Sequence, residues 1–391
     1  MEKLLGYKRE NGEYGVRNFL AIIPTVFCAN HVVKAVASSV KGAVALPHSV
    51  GCGQHGADLD QSIKTLAGLG KNPNVGAVIV VGLGCERIHA HELAEMIQQS
   101  GKRAEYFNIQ ENGGSIKTIE KTVAMASDIA SGLSAQPRMP FSISKLRIGL
   151  KCGGSDATSG IAANPALGCA CDRIVGEGGT AILSEITELL GSEHILCRRA
   201  ANEQVAKEIK DIIVRCEEIL LQRTKNYSRT SEQAALITPG NFDGGVSSVA
   251  EKALGGIYKS GSSQFIGTLA YAETPSENGL YLMNSPSHDG EVVTSMVAGG
   301  AQIVIFTTGR GTPTGFPLAP VIKVTGNSKT YRQMKDNIDI NSGAVIDGEK
   351  TLEEAGIEIY DEIIAVANGK MTKAEALNHD ELFVIGRYEL Y

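Results

Sequence analysis

Cys52, Cys85 and Cys152 each follow an apolar run and a glycine-rich turn. Residues 43–51 lead into Cys52, 75–84 into Cys85 and 146–151 into Cys152. An apolar run that stops at glycine reads as a buried parallel strand reaching its carboxyl end. Ligands of open parallel sheets bind at that end. Three thiols delivered there from distant parts of the chain could share one metal ion or iron–sulfur cluster, since thiolates suit iron and zinc. A cluster held by three cysteines would leave one iron open as a Lewis acid for a hydroxyl and a carboxylate. The plain alternative is that these thiols are small fillers at tight turns. No CxxC spacing surrounds them to decide the matter.

Groups able to move protons stand beside each thiol. His48 and His55 flank Cys52, Glu86 follows Cys85, and Asp156 closes the turn Gly153-Gly154-Ser155-Asp156 after Cys152. Histidine and carboxylate side chains in such loops serve as general acid or base, or as hydrogen-bonded loop residues. His48, Glu86 and Asp156 also make an alternative site for a single Fe²⁺ or Mn²⁺. The backbone and hydroxyl of the Ser155 turn could cradle an anion. Arg17, next to Asn18, Arg310 in a glycine-rich loop and Lys323 in an apolar strand are the cations able to hold a carboxylate. A lysine inside an apolar strand should have an anionic partner. Cys169 and Cys171 read as packing residues, and Cys28, Cys197 and Cys216 as ordinary core or helix cysteines.

Those residues need a scaffold, and the chain can supply one. Its 391 residues, 43% hydrophobic and 20% charged, suffice for two or three folded domains. A net charge of −6 without a basic stretch argues against nucleic acid. No run of roughly 18 apolar residues suggests a membrane span, and the start carries no signal-peptide pattern. Eight cysteines without such a signal fit a reducing cytoplasm and thiols or metal ligands.

Strand and helix signals alternate through the first part: strands at 18–26, 43–50, 75–81 and 103–109, helices at 30–40, 58–69, 89–99 and 115–131. Pro, Gly and Ser gather at 131–140 as a linker. A second series begins with a strand at 146–152, a helix from 159, a strand at 180–184 and a long exposed helix at 203–222. Residues 227–234 read as a polar loop. Strands follow at 264–267, 302–306 and 321–324. The reading is an α/β protein with two Rossmann-like parallel-sheet units, 1–137 and 138–391. The second unit brings the other half of the active site and an irregular C-terminal extension. Neither Gly82-Leu83-Gly84-Cys85-Glu86-Arg87 nor Gly153-Gly154-Ser155-Asp156 completes a nucleotide-binding fingerprint, so a nucleotide-binding oxidoreductase is the weaker reading.

Several of these motifs together resemble one family. They are Gly6-Tyr7-Lys8-Arg9 with Gly15-Val16-Arg17-Asn18, Gly82-Leu83-Gly84-Cys85-Glu86, Cys152-Gly153-Gly154-Ser155-Asp156, Ala163-Asn164-Pro165-Ala166-Leu167-Gly168, Phe306-Thr307-Thr308-Gly309-Arg310-Gly311, Pro320-Val321-Ile322-Lys323 and Asp339-Ile340-Asn341-Ser342-Gly343. In this order they resemble the catalytic region of the altronate and galactarate dehydratases, a family that includes the large subunit of sulfolactate sulfo-lyase. The resemblance implies a cytoplasmic, iron- or manganese-dependent hydro-lyase that makes a 2-keto-3-deoxy acid from a sugar acid. Release of sulfite from a sulfonated hydroxy acid, or a non-catalytic sugar-acid-binding subunit, are its alternatives. Members with a small N-terminal SAF-type domain imply a separate small subunit here, and a homo-oligomer is also expected.

Overall fold

The computed structural model describes residues 4–223 and 236–389; the expected polar loop at 227–234 lies outside them. The chain opens with β1 (Leu4–Lys8) and β2 (Tyr14–Gly15) and then enters a parallel sheet. That sheet holds β3 (Phe19–Pro24), β4 (Ala43–Ala45), β5 (Val75–Gly82) and β6 (Arg103–Asn108) in the order β4-β3-β5-β6. The helices α1 (Asn30–Ser39), α2 (Ala57–Lys71), α3 (Ala90–Gln98) and α4 (Ser115–Ser134) connect and cover the strands. Leucine, alanine and isoleucine fill β3, and valine and isoleucine fill β5; both strands are buried on both faces, as a doubly covered parallel sheet requires. The strand expected at 43–50 ends at Ala45. Leu46 N–H makes the last bond to Ile22, and Pro47 has no N–H to continue the ladder.

The expected linker is partly ordered structure. Helix α4 runs on to Ser134, and β7 (Met139–Phe141) pairs antiparallel with β1. The second sheet then begins with β8 (Arg147–Cys152) and β9 (Thr180–Leu183), joined by a π-helical turn at Ser159–Ala163 and α5 (Asn164–Gly176). After α6 (Glu193–Arg198), α7 (Glu203–Arg223), α8 (Pro239–Asp243) and α9 (Val249–Gly256) come β10 (Phe265–Leu269) and β11 (Leu280–Met283). Helix α10 (Asp289–Ala298) leads to β12 (Ile303–Thr308) and β13 (Val321–Thr325). The chain continues through α11 (Ser328–Gln333), β14 (Ile340–Asn341), α12 (Leu352–Ala367) and α13 (Lys373–Ala376). All seven strands of this sheet are parallel, in the order β10-β11-β9-β8-β12-β13-β14. The C-terminal region expected to be irregular therefore builds one side of a large sheet.

The two sheets share a core. Ala21, Ile23, Val78 and Val80 of the first lie in one apolar cluster with Ile182, Val304, Phe306 and Val321 of the second. Helices α2 and α10 pack side by side within it. Asn72, at the end of α2, donates to Val297 and Ala301 carbonyls at the end of α10. Gln61, near the start of α2, donates to Gly386, which sits beside Glu291 in the first turn of α10. The helices are thus parallel. Each begins where its preceding strand ends, so both sheets turn their carboxyl edges to the same side.

Candidate functional site

The order of the second sheet reverses between β8 and β12. From β8 the chain moves outward through β9, then returns to build β12, β13 and β14 on the other side. Such a reversal opens a crevice at the carboxyl ends. Here the turn after β8 and the loop after β12 meet. Gly309 and Arg310 N–H both donate to the Gly154 carbonyl. Gly154 has φ +59, and a Cβ on Gly309 would overlap the Asp156 carboxyl group. Glycine is required at both places for the backbones to approach.

Cys152 stands at the centre of this crevice. Its Sγ lies 3.1 Å from Ser155 Oγ, and Asn164 Nδ2 reaches it at 3.7 Å. Asn164 is oriented in turn by Thr307 Oγ1, which donates to its Oδ1 at 2.6 Å. Asp156 Oδ1 accepts from Thr158 Oγ1 at 2.6 Å and from Ser159 N–H at 3.0 Å, which starts the π-helical turn. Asn241 Nδ2 donates to the Ser155 carbonyl and fixes the turn from the α8 side.

Beneath the turn lies a charged cluster. Lys151, Glu185 and Lys259 are completely buried. Glu185 pairs with Lys151, holds Lys259 Nζ at 2.7 Å and accepts from Cys152 N–H at 3.1 Å. Lys151 also pairs with Asp289 at 2.8 Å. Glu185 takes left-handed backbone angles, φ 72, which cost energy for a residue other than glycine. Burial works against the Lys151 charge, but Glu185 and Asp289 overcome it and raise its pKa. The strand-lysine rule applied to Lys323 would have found Lys151 as well, since it too sits in an apolar strand. Glu185 had no comparable signal, because nothing in sequence announces its backbone angles.

Two cavities flank the turn. One, of about 250 Å³, is bounded by Cys152, Ser155, Asp156 and Asn164. The other, of about 520 Å³, is bounded by Gly153, Gly154, Thr187, Thr238, Ser287 and Asp289. Glu188 and Lys252 line both. Their ion pair, 2.9 Å long, has side chains about one-ninth exposed. Burial opposes each charge, but the pairing dominates, lowering the Glu188 pKa and raising that of Lys252.

The first sheet has its own reversal, between β3 and β5. Glu86 stands there, buried, and its carboxylate accepts from Thr25 Oγ1 and from Leu83, Gly84 and Cys85 N–H. Burial opposes the charge, but these donors hold the Glu86 pKa below its ordinary value. His48 is buried with Nε2 on the Pro24 carbonyl at 2.7 Å and Nδ1 facing Val50 N–H. Burial lowers its pKa. Cys85 is exposed, with Gln110 Nε2 at 3.6 Å from its sulfur. Cys52 and His55 are exposed and line a cavity of about 420 Å³ with Cys28, Asp58 and Arg387. Cys28 is therefore no core residue; it sits in a short turn at the end of β3, facing the Cys52 loop. Cys169 is exposed as well, while Cys171 is buried.

The expected cations are mostly engaged elsewhere. Arg17 makes a two-pronged pair with Glu375 at 2.7 and 2.8 Å and donates to the Val16, Val366 and Lys370 carbonyls. Asn18 bonds Arg9, the Leu133 carbonyl and Gln136. Both tie the first strands to later elements. Lys323 was expected to meet an anion, but its ammonium donates to the Pro313 and Thr314 carbonyls at 3.2 and 3.0 Å. Burial lowers its pKa to about 8. Arg310 is exposed at the crevice.

The donor sets proposed for a metal are not assembled. Among the described residues, no three His, Cys, Asp or Glu side chains form a group able to hold a metal ion. Cys52 and Cys85 belong to loops of the first sheet, and Cys152 to the second. His48, Glu86 and Asp156 each accept hydrogen bonds from their own loops. A site of three thiolates would require the Cys52 and Cys85 loops to close on Cys152.

Two family models match the chain: "D-galactarate dehydratase/Altronate hydrolase, second domain" over residues 6–134, and "D-galactarate/Altronate dehydratase, C-terminal" over 143–389. The chain belongs to the galactarate/altronate dehydratase family. Similar members differ in what their names say they act on. A (2R)-sulfolactate sulfo-lyase subunit beta of Chromohalobacter salexigens is 39% identical, over 98% of this chain and 97% of its own length. An altronate dehydratase of Bacillus subtilis is 35% identical over 97% of this chain and 76% of its own. A galactarate dehydratase (L-threo-forming) of Escherichia coli is 34% identical over 93% and 72%. Among the described residues, no helix of this family member is long and apolar enough to cross a membrane.

Proposed function

We propose that the chain is a lyase subunit that eliminates water from a sugar acid, altronate- or galactarate-like, to give a 2-keto-3-deoxy acid. The observation that carries this is a crevice of two cavities at the sheet reversal, in a chain matching dehydratases along nearly its whole length. The reaction breaks a Cα–H bond and a β C–O bond. A base takes the Cα proton, the electron pair forms the double bond, and the β hydroxyl leaves as water after receiving a proton. The resulting enol becomes the keto acid. Charge gathers on the carboxylate as the Cα proton leaves, so a fixed positive group must face it. Of the four proton-moving candidates, Asp156 borders the Cys152 cavity and is our choice for that crevice. His55 lines the separate Cys52 cavity. Because the metal donors are not gathered, no step here passes through a metal.

A second reading, release of sulfite from a sulfonated hydroxy acid, is favoured by the match along 97% of a sulfo-lyase subunit. The same elimination applies, with a C–S bond breaking in place of the C–O bond. That relative is named as a beta subunit, and we propose a small partner subunit for this chain too. The test is a turnover screen with altronate, galactarate and sulfolactate, with and without such a partner. Keto acid without sulfite supports the dehydratase, and keto acid with sulfite supports the second reading. No keto acid from any of them, under air or without oxygen, contradicts both.

A further inference from the structure

We infer that Lys252 is the residue that receives the substrate carboxylate, with Glu188 as its resting counter-ion. The inference rests on the proposed lyase reading. It starts from a requirement: a hydroxy acid brings a permanent negative charge into a partly buried crevice, and that charge needs a cationic partner. Among the described residues, Lys252 is the one lysine or arginine lining either cavity, and it lines both; Arg310, exposed at the crevice, lines neither. The other lysines nearby are spent. Lys151 and Lys259 are sealed under the turn around Glu185, and Lys323 is held by two carbonyls.

Lys252 is placed to accept a second anion. Among the described residues its ammonium has one ion-pair partner, Glu188 Oε1 at 2.9 Å. An ammonium carries three N–H donors, so donors remain after Glu188 is served. The surroundings suit the rest of the substrate. The larger cavity offers Thr187, Thr238, Asn241 and Ser287 to hydroxyl groups, while the smaller one brings Cys152, Ser155 and Asp156 to the other side of Lys252. A polyhydroxy acid anchored at Lys252 would extend its hydroxyl-bearing carbons along the polar wall. Its Cα would lie beside the 152–156 turn.

The test compares wild type, Lys252→Arg, Lys252→Met and the double variant Lys252→Met/Glu188→Gln. The double variant leaves no charge unpaired and so protects the fold. Binding of altronate, galactarate and sulfolactate is measured by calorimetry, with the neutral alditol of altronate as control. For any acid that wild type binds, the double variant should lose at least about tenfold in affinity. The alditol should bind as before, and Lys252→Arg should recover part of the loss. In turnover, KM should rise more than kcat falls. Unchanged affinity for the acids in a folded double variant overturns the assignment of Lys252 and leaves the lyase reading standing. A wild-type chain that binds none of the three acids overturns both. Should the variants not fold, labelling of wild-type Lys252 by reductive methylation decides. Protection by a bound acid supports the assignment, and unchanged labelling overturns it.

Discussion

Glu86 follows Cys85 in the chain, yet its carboxylate turns back to accept from Thr25 and three successive N–H groups. Its neighbourhood to a thiol was legible in sequence; its use as the brace of its own turn was not, because four donors from two segments create it. Glu86→Gln swaps an acceptor for a donor among those donors. It should cost about 1–3 kcal/mol of stability, measured by urea denaturation, with the 83–85 turn losing amide protection. His48 carries a pH signature. Burial lowers its pKa, so the unfolded chain takes up a proton below about pH 6.5 that the folded chain refuses. Stability is therefore lost as pH falls through that region. His48→Gln, which keeps a donor for Pro24, should flatten the stability profile between about pH 7 and about pH 5.5. An equally steep profile in the variant would refute the assignment. Lys151 and Lys323 teach the same lesson from opposite sides. Both are lysines in apolar strands, but one found carboxylates and the other carbonyls, and only the tertiary structure tells them apart.

At the scale of elements, the strands ending at Gly82 and Cys152 were readable because both faces are apolar. Strand β11 (Leu280–Met283) was not, being four residues between polar stretches. Pro47 cuts β4 short and places Cys52 in a loop well beyond the ladder. The crevice itself depends on contact between two glycine turns. Gly309→Ala would drive a methyl group into the Asp156 carboxyl, which is pinned by Thr158 and Ser159. We expect a loss of about 1–3 kcal/mol and a larger loss of turnover than of stability. Thermal melting and kinetics on the same preparation check this; normal turnover would show that the two turns need not touch.

At the scale of the molecule, sequence alternation revealed parallel sheets but not that they share a core and face the same way. That arrangement rests on α2 against α10 and on Asn72 and Asn74, whose amides reach Val297, Ala301, Gln302 and Leu318 carbonyls. Replacing both by alanine leaves four carbonyls without these donors. It should cost about 1–3 kcal/mol per site and separate one calorimetric transition into two. The proposed chemistry is that this crevice removes a Cα proton and a β group from a hydroxy acid. The most direct measurement follows altronate, galactarate and sulfolactate by proton NMR in D₂O, with the chain alone and with the proposed small partner subunit. That elimination predicts a 2-keto acid carrying one solvent deuterium at C3, because the released enol takes its new proton from water. A folded protein that leaves all three acids unchanged, or a keto product without deuterium at C3, would contradict it.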